Sequence, residues 1–175
     1  MEYVMEMGTT RRHNEILSGI QFDILTNFKA LYKARKVVSL LEQVALCHMG
    51  NIREMDWISL IDAESCETDL MLFNVVYPDY LLFKDNKYLV NNAQTRFAGK
   101  PDLIVEVWSD DNTYEHKLFK HTLYSSSSIT EHWYIEQDSN IIECWLGKTR
   151  LPDQTLTDIL KTKQGVSIDL RHLAL

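Results

Sequence analysis

Apolar residues return every three or four positions between residues 13 and 33. Ile16, Ile20, Ile24, Phe28 and Leu31 form one stripe, which predicts an amphipathic helix. Residues 37–47, VVSLLEQVALC, suit a helix through SLLEQVAL as well as one strand or two, and propensity does not choose between them. Residues 51–68 are polar and irregular apart from WISLI. From Leu70 the pattern turns to strands: LMLFNVVY, then YLLF after Pro78 and Asp79, a turn at Asp85 and Asn86, and KYLV. Proline has no N–H for a ladder, so Pro78 belongs at a strand start, an edge or a bulge. LIVEVW (103–108) is the next strand. A helix follows over about residues 113–124, with Asn112 as N-cap and Glu115 as its capping-box partner three residues on. HWYIE and IIECWL, joined by QDSN, predict a hairpin. The tail, residues 151–175, offers a short helical piece, TDILK, and a closing apolar segment, VSIDLRHL. A helix first, strands in the middle and a helix between strands predict an α/β or α+β domain on a mixed sheet. The length of 175 residues suits one domain, 1–175.

One position breaks the pattern. Glu106 sits inside LIVEVW, where a buried strand favours Val, Ile or Leu. Side chains alternate along a strand, so Leu103, Val105 and Val107 share one face, and Asp102, Ile104, Glu106 and Trp108 the other. Asp102 and Glu106 are four residues apart, roughly 13 Å at 3.3 Å each, too far to hold one ion together. A partner for Glu106 must come from another strand, and Asp79 in VVYPDYLLF is the candidate. A hard cation such as Mg²⁺ takes oxygen ligands, keeps waters, and is often held by one or two carboxylates plus substrate phosphate. It can activate water and neutralise charge that builds on a phosphodiester.

The following helix supplies cations. Lys117, Lys120, His121 and Tyr124 fall at i, i+3, i+4 and i+7 and make one polar stripe, while Leu118, Phe119 and Leu123 are its apolar positions. Lys117, in the first turns after the Glu106 strand, is the candidate point charge for a water or a phosphate oxygen. Each residue alone also has a structural reading. Buried acids pair with cations or backbone amides, Asp79 after proline suits a turn, Asp102 suits the start of its strand, and Lys117 suits a solvated helix face. The functional reading lies in the joint pattern.

Composition sets limits around this. Hydrophobic residues at 45% and charged residues at 25% are the balance of a globular chain rather than a disordered one. No apolar run is long enough to span a bilayer, and the first twelve residues are too polar for a secretory signal. Cys47, Cys66 and Cys144 lie far apart with no CxxC pair, which points to reduced thiols in the cytoplasm. The net charge of -7 argues against non-specific adhesion to nucleic acid. Six basic residues (Arg11, Arg12, Lys29, Lys33, Arg35, Lys36) against two acids, Glu15 and Asp23, leave either a local positive face or a solvated helix surface near the start.

The ordered set PD (78–79), PDLIVEVWS (101–109), HKLFKHTLY (116–124) and ITEHWYIE (129–136) resembles the bacterial Uma-type restriction endonucleases of the PD-(D/E)XK nuclease superfamily. The corresponding family stretches look like vPDv, pDLvvEVlS, dxxxKxxxY and gVxEYWivD, and the likeness runs from about His13 to Leu173. It implies a restriction-endonuclease-like core, a mixed β-sheet flanked by α-helices, and Mg²⁺-dependent hydrolysis of DNA, with Mn²⁺ as a substitute metal. It further implies Asp79 and Glu106 as metal ligands. In the wider superfamily the lysine stands two places after the glutamate, here Trp108, so the catalytic role passes to Lys117 on the helix. The resemblance makes Asp102 and His13 accessory positions: Asp102 supports a ligand or only its strand, and His13, at the start of the first helix, either lends a polar group to the site or is a satisfied histidine at the edge of the core beside Leu17 and Ile20. The chain departs from the family at WSDDN, at the serine-rich 125–128, and in the segment between Cys47 and Leu70. The competing expectation is a catalytically inactive nuclease-fold domain that acts as a protein- or nucleic-acid-interaction module. A homodimer, one subunit for each DNA strand, is the associated quaternary expectation.

Overall fold

The computed structural model describes residues 10–29, 37–41, 45–48, 74–84, 88–90, 96–99, 101–125 and 130–175. The expectations for residues 51–68 and for the turn at Asp85 and Asn86 lie outside the described residues. The first helix, α1 (Arg11–Asn27), is capped by Thr10, whose side chain accepts from the His13 amide. Its stripe of Ile16, Leu17, Ile20 and Ile24 is buried, and full burial of each such side chain is worth about 1.5–3 kcal/mol. The segment ambiguous by pattern holds two strands among its described residues, β1 (Val37–Leu41) and β2 (Ala45–His48).

The main sheet runs β1, β4 (Tyr80–Lys84), β7 (Leu103–Trp108), β8 (Glu131–Glu136), β9 (Ile141–Leu146) and β10 (Thr149–Arg150). A short β11 (Gln154–Thr155) also pairs with β9. Most neighbours are antiparallel; β7 and β8 are parallel. A parallel pair needs a crossover, and α2 (Tyr114–Tyr124) supplies it. A second sheet has the order β3 (Asn74–Val76), β2, β6 (Arg96–Gly99) and β5 (Tyr88–Val90). The predicted hairpin is β8–β9. TDILK is not helical: it contributes β12 (Ile159–Lys161), paired with β13 (Ser167–Asp169). Its exposure alternates with period two, Leu160 buried between exposed Ile159 and Lys161, and three residues cannot nucleate a helix.

Two apolar layers sandwich the main sheet. On one face α1 meets Tyr80, Leu82, Leu103, Val105, Val107, Trp133 and Ile135. On the other, Leu123 and Tyr124 of α2 meet Leu81, Phe83, Ile104, Trp108 and Tyr134. Gly19 lies where α1 crosses the tail, and a β-carbon there would push the end of the Leu170 side chain aside. Arg12 fastens the start of α1: its Nε donates to the Gln137 carbonyl and its Nη1 to the Leu173 carbonyl at 2.7 Å. Arg11 pairs with Glu15 at 2.6 Å. Two of the basic residues near the start are therefore engaged within the fold.

The N-cap of α2 is Thr113, whose side chain accepts from the His116 amide. Asn112 instead accepts from the Ser109 amide at 2.8 Å and closes the preceding turn. The helix also sits rotated from its expected setting. Leu118 and Phe119 are exposed (48% and 44%), while Lys120, Leu123 and Tyr124 are buried. The polar stripe faces the sheet.

Candidate active site

Every residue of β7 is buried, Glu106 included at 1% exposure. Alternation puts Glu106 with Ile104 and Trp108 on the α2 face. In the antiparallel register of β4 and β7, Tyr80 opposes Val105 and Leu81 opposes Ile104. Asp79 immediately precedes β4, near the part of β7 that carries Glu106, close enough for its charge to raise the Glu106 carboxyl. Pro78 precedes Asp79 outside the ladder, so the acid sits at the strand's mouth, its side chain 20% exposed. Its Oδ2 accepts from the Val107 amide at 2.7 Å, and His13 Nε2 lies 3.3 Å from the same oxygen. Asp79 therefore meets His13 and the backbone of β7 next to Glu106, and its charge bears on the Glu106 carboxyl.

Lys117 and Asp102 take other partners. Lys117 Nζ donates to both carboxylate oxygens of Glu136, at 2.8 and 3.1 Å, and lies 5.0 Å above the Trp108 ring. The cation on Glu106 is Lys120, whose Nζ donates to Oε2 at 2.8 Å and to the Tyr77 carbonyl at 3.4 Å. Asp102 is fixed at the start of β7: its Oδ2 accepts from the Lys84 amide at 2.7 Å, and its carbonyl accepts from the Glu131 amide and Gln164 Nε2. That matches a structural anchor.

Tyr124, one turn beyond Lys120, donates to Glu106 Oε1 at 2.5 Å. The sequence placed both residues on the polar stripe without singling them out. The signal that finds them is their spacing of four, which is the Lys-to-Tyr spacing of the family stretch dxxxKxxxY; Lys117 would place His121 at the tyrosine position.

The electrostatics follow from burial. Removal from water raises the Glu106 carboxyl from 4.5 to about 7; the Lys120 charge opposes the rise, Asp79 adds to it, and the hydrogen bonds from Lys120 and Tyr124 oppose it. Burial and the adjoining Glu106 charge hold the Tyr124 hydroxyl well above its ordinary value, so it stays a donor. Beside this group, His132 is fully buried among His121, Tyr134 and Trp145 rings. Burial and the neighbouring His121 lower its ring to about 4.

The donor set decides which cation the residues suit. Among the described residues no three His, Cys, Asp or Glu side chains converge, which is poor for zinc with its four ligands. Two neighbouring carboxylates, one buried and one partly exposed, suit a hard divalent cation that keeps several waters. Asp79 and Glu106 would hold it, with Lys120 alongside.

Comparison with known proteins gives the fold a context. Residues 34–171 match the family model described as "Uma2: Putative restriction endonuclease". A crystal structure described as that of "a putative nuclease belonging to DUF820", from Anabaena variabilis ATCC 29413, is similar at a TM-score of 0.65 and 14% identity. The alignment covers 98% of this chain and 87% of that one. At this identity the likeness is one of fold, and the fold is the mixed sheet flanked by helices expected from the sequence. No curated protein matches the chain.

Proposed function

The chain belongs to the Uma2 restriction endonuclease family, and on that premise we propose that it is a Mg²⁺-dependent DNA endonuclease, with Mn²⁺ able to replace Mg²⁺. The observation that carries the proposal is the buried Lys120–Glu106 pair at 2.8 Å, within reach of the Asp79 charge. A chain does not remove a glutamate and a lysine from water without cost: a buried pair is often no more stable than apolar residues of the same volume. Asp79 raises that cost by adding a second negative charge. Such an arrangement is an expected one where charge is needed for chemistry.

In this proposal Asp79 and Glu106 hold the metal, and Lys120 replaces Lys117 as the site's cation. A bound Mg²⁺ would supply charge neutralisation at the scissile phosphate. Lys120 presents an ammonium to the attacking water or a non-bridging phosphate oxygen. It is pre-oriented for that by Glu106 and the Tyr77 carbonyl. His13 steadies Asp79 at Oδ2, the oxygen that also accepts from the Val107 amide, and Asp102 keeps β7 in register with β4. The proposal extends to a single domain over residues 1–175, a homodimer offering one site to each strand, and a cytoplasmic location, where reduced cysteines belong. No described helix is long and apolar enough to cross a membrane.

The test is cleavage of supercoiled plasmid and of single-stranded DNA with Mg²⁺ or Mn²⁺. Wild type should cut; Asp79→Asn, Glu106→Ala and Lys120→Met should not, each losing at least about 10²-fold. Equal cleavage by wild type and Glu106→Ala, or none by either, would refute the proposal. A second reading, a nuclease-fold interaction module without catalysis, draws on Tyr114, Leu118 and Phe119, exposed together on the outer side of α2. Under it, a partner would bind equally well to wild type and Glu106→Ala.

A further inference from the structure

The two oxygens of Glu106 are held by side chains of different character. Lys120 reaches Oε2 on a flexible four-carbon stem. Tyr124 reaches Oε1 from a ring that is fully buried among Leu81, Phe83, Ile104, Trp108, Leu123 and Tyr134. Two torsions place a tyrosine hydroxyl, and packing on this scale fixes both. The 2.5 Å contact is a charge-assisted hydrogen bond of the short, strong kind when the carboxylate is ionised.

The remaining lone pairs define what the carboxylate can still do. An ionised carboxylate has about four acceptor directions. Among the described residues Tyr124 takes one on Oε1 and Lys120 one on Oε2, which leaves one on each oxygen. A terminal carboxylate torsion is broad when nothing holds it, so without Tyr124 the plane would be set by Lys120 alone. We propose that Tyr124 is a positioning residue whose hydroxyl fixes the plane of the Glu106 carboxylate, presenting its free lone pairs to a divalent cation shared with Asp79. This rests on the reading of Asp79 and Glu106 as cation ligands and adds what orients the second of them. Partners that orient ligands in this way typically change metal affinity by about 10–100-fold.

Mn²⁺ is titrated calorimetrically into wild type, Tyr124→Phe and Glu106→Gln, and cleavage is followed against Mn²⁺ concentration. Tyr124→Phe keeps the packed ring and removes the hydroxyl. It should bind Mn²⁺ about 10–100-fold more weakly. Its cleavage rate should return to within a few-fold of wild type at saturating Mn²⁺, with the KM for DNA unchanged. Lower thermal stability with unchanged Mn²⁺ affinity would mean a merely structural tyrosine and would overturn the proposal, leaving the cation site standing. Glu106→Gln separates the two layers: if it binds Mn²⁺ as wild type does, or if wild type binds none, the cation reading fails and the proposal with it. A second measurement needs no variant. The Tyr124 hydroxyl proton should resonate far downfield in wild type and persist when diamagnetic Mg²⁺ is added; its loss on Mg²⁺ binding would equally overturn the proposal.

Discussion

Replacing Glu106 by Gln removes one titrating group from the core with little change in shape, and its consequence for stability is set by the carboxyl's position on the pH scale. Burial, opposed by the Lys120 charge and reinforced by Asp79, moves that group from 4.5 to about 7 on folding. Below pH 4.5 the carboxyl is protonated in both states and favours neither. Between pH 4.5 and about 7 the folded chain keeps a proton that the unfolded chain releases, so stability falls as pH rises. Above about 7 both states are ionised and the loss levels off. The slope approaches about 1.4 kcal/mol per pH unit, and the whole fall is about 3 kcal/mol. Glu106→Gln has no such term. Any fixed loss of hydrogen bonding to Lys120 or Tyr124 displaces its curve without bending it. Urea unfolding at intervals from pH 4.5 to 8 should show the stability of wild type relative to Glu106→Gln declining by about 3 kcal/mol. A flat difference, or one that grows with pH, would refute the reasoning. Saturating Mg²⁺ should recover the loss at the alkaline end for wild type alone, by about 2.7 kcal/mol at a hundredfold excess over Kd.

Further outcomes separate neighbouring residues. Lys120→Met should lower kcat/KM for DNA by at least about 10²-fold, while Lys117→Met, which loses a half-exposed contact to Glu136 and the one over the Trp108 ring, should stay within a few-fold. Asp102→Ala should cost about 1–3 kcal/mol by stranding the Lys84 amide, yet leave kcat nearly unchanged; a collapse of kcat in the folded variant would put Asp102 back in the site. The His132 ring, lowered from 6.5 to about 4 by burial and His121, stays neutral in the fold while the unfolded chain takes up its proton. Wild type should therefore lose up to about 3 kcal/mol as pH falls from 6.5 to 4. His132→Phe should flatten that acid limb in a denaturation series, and an unchanged limb would contradict the assignment.

Much of the fold was legible because burial writes a period into sequence. The stripe of Ile16, Ile20 and Ile24 gave α1, and LIVEVW gave β7 residue for residue. The acid that breaks LIVEVW was the informative residue, and the pairing of β4 with β7 then brought Asp79 to the Val107 amide beside it. What sequence could not give was the rotation of α2. Leu118 and Phe119 carry more hydrophobicity than Lys120 and Tyr124, so a count of apolar positions turns the helix the wrong way. The sheet face beneath is lined by Glu106, His132 and Tyr134 as well as apolar groups, and a helix must answer those with donors. Lys120 and Tyr124 do so, and Leu118 and Phe119 are left outside. That choice also put Lys120, three residues beyond Lys117, on Glu106 and left Lys117 on Glu136. The cap shifted for a local reason: Asn112 was already committed to the Ser109 amide, so Thr113 took the helix.

The most direct measurement is a calorimetric titration of Mn²⁺ into wild type, Asp79→Asn and Glu106→Gln at pH 8, where the Glu106 carboxyl is ionised. Wild type should take up the ion, and each substitution should abolish or sharply weaken uptake, because neither acid holds the cation alone. Binding that survives the loss of either carboxylate, or no binding at all, would contradict the account.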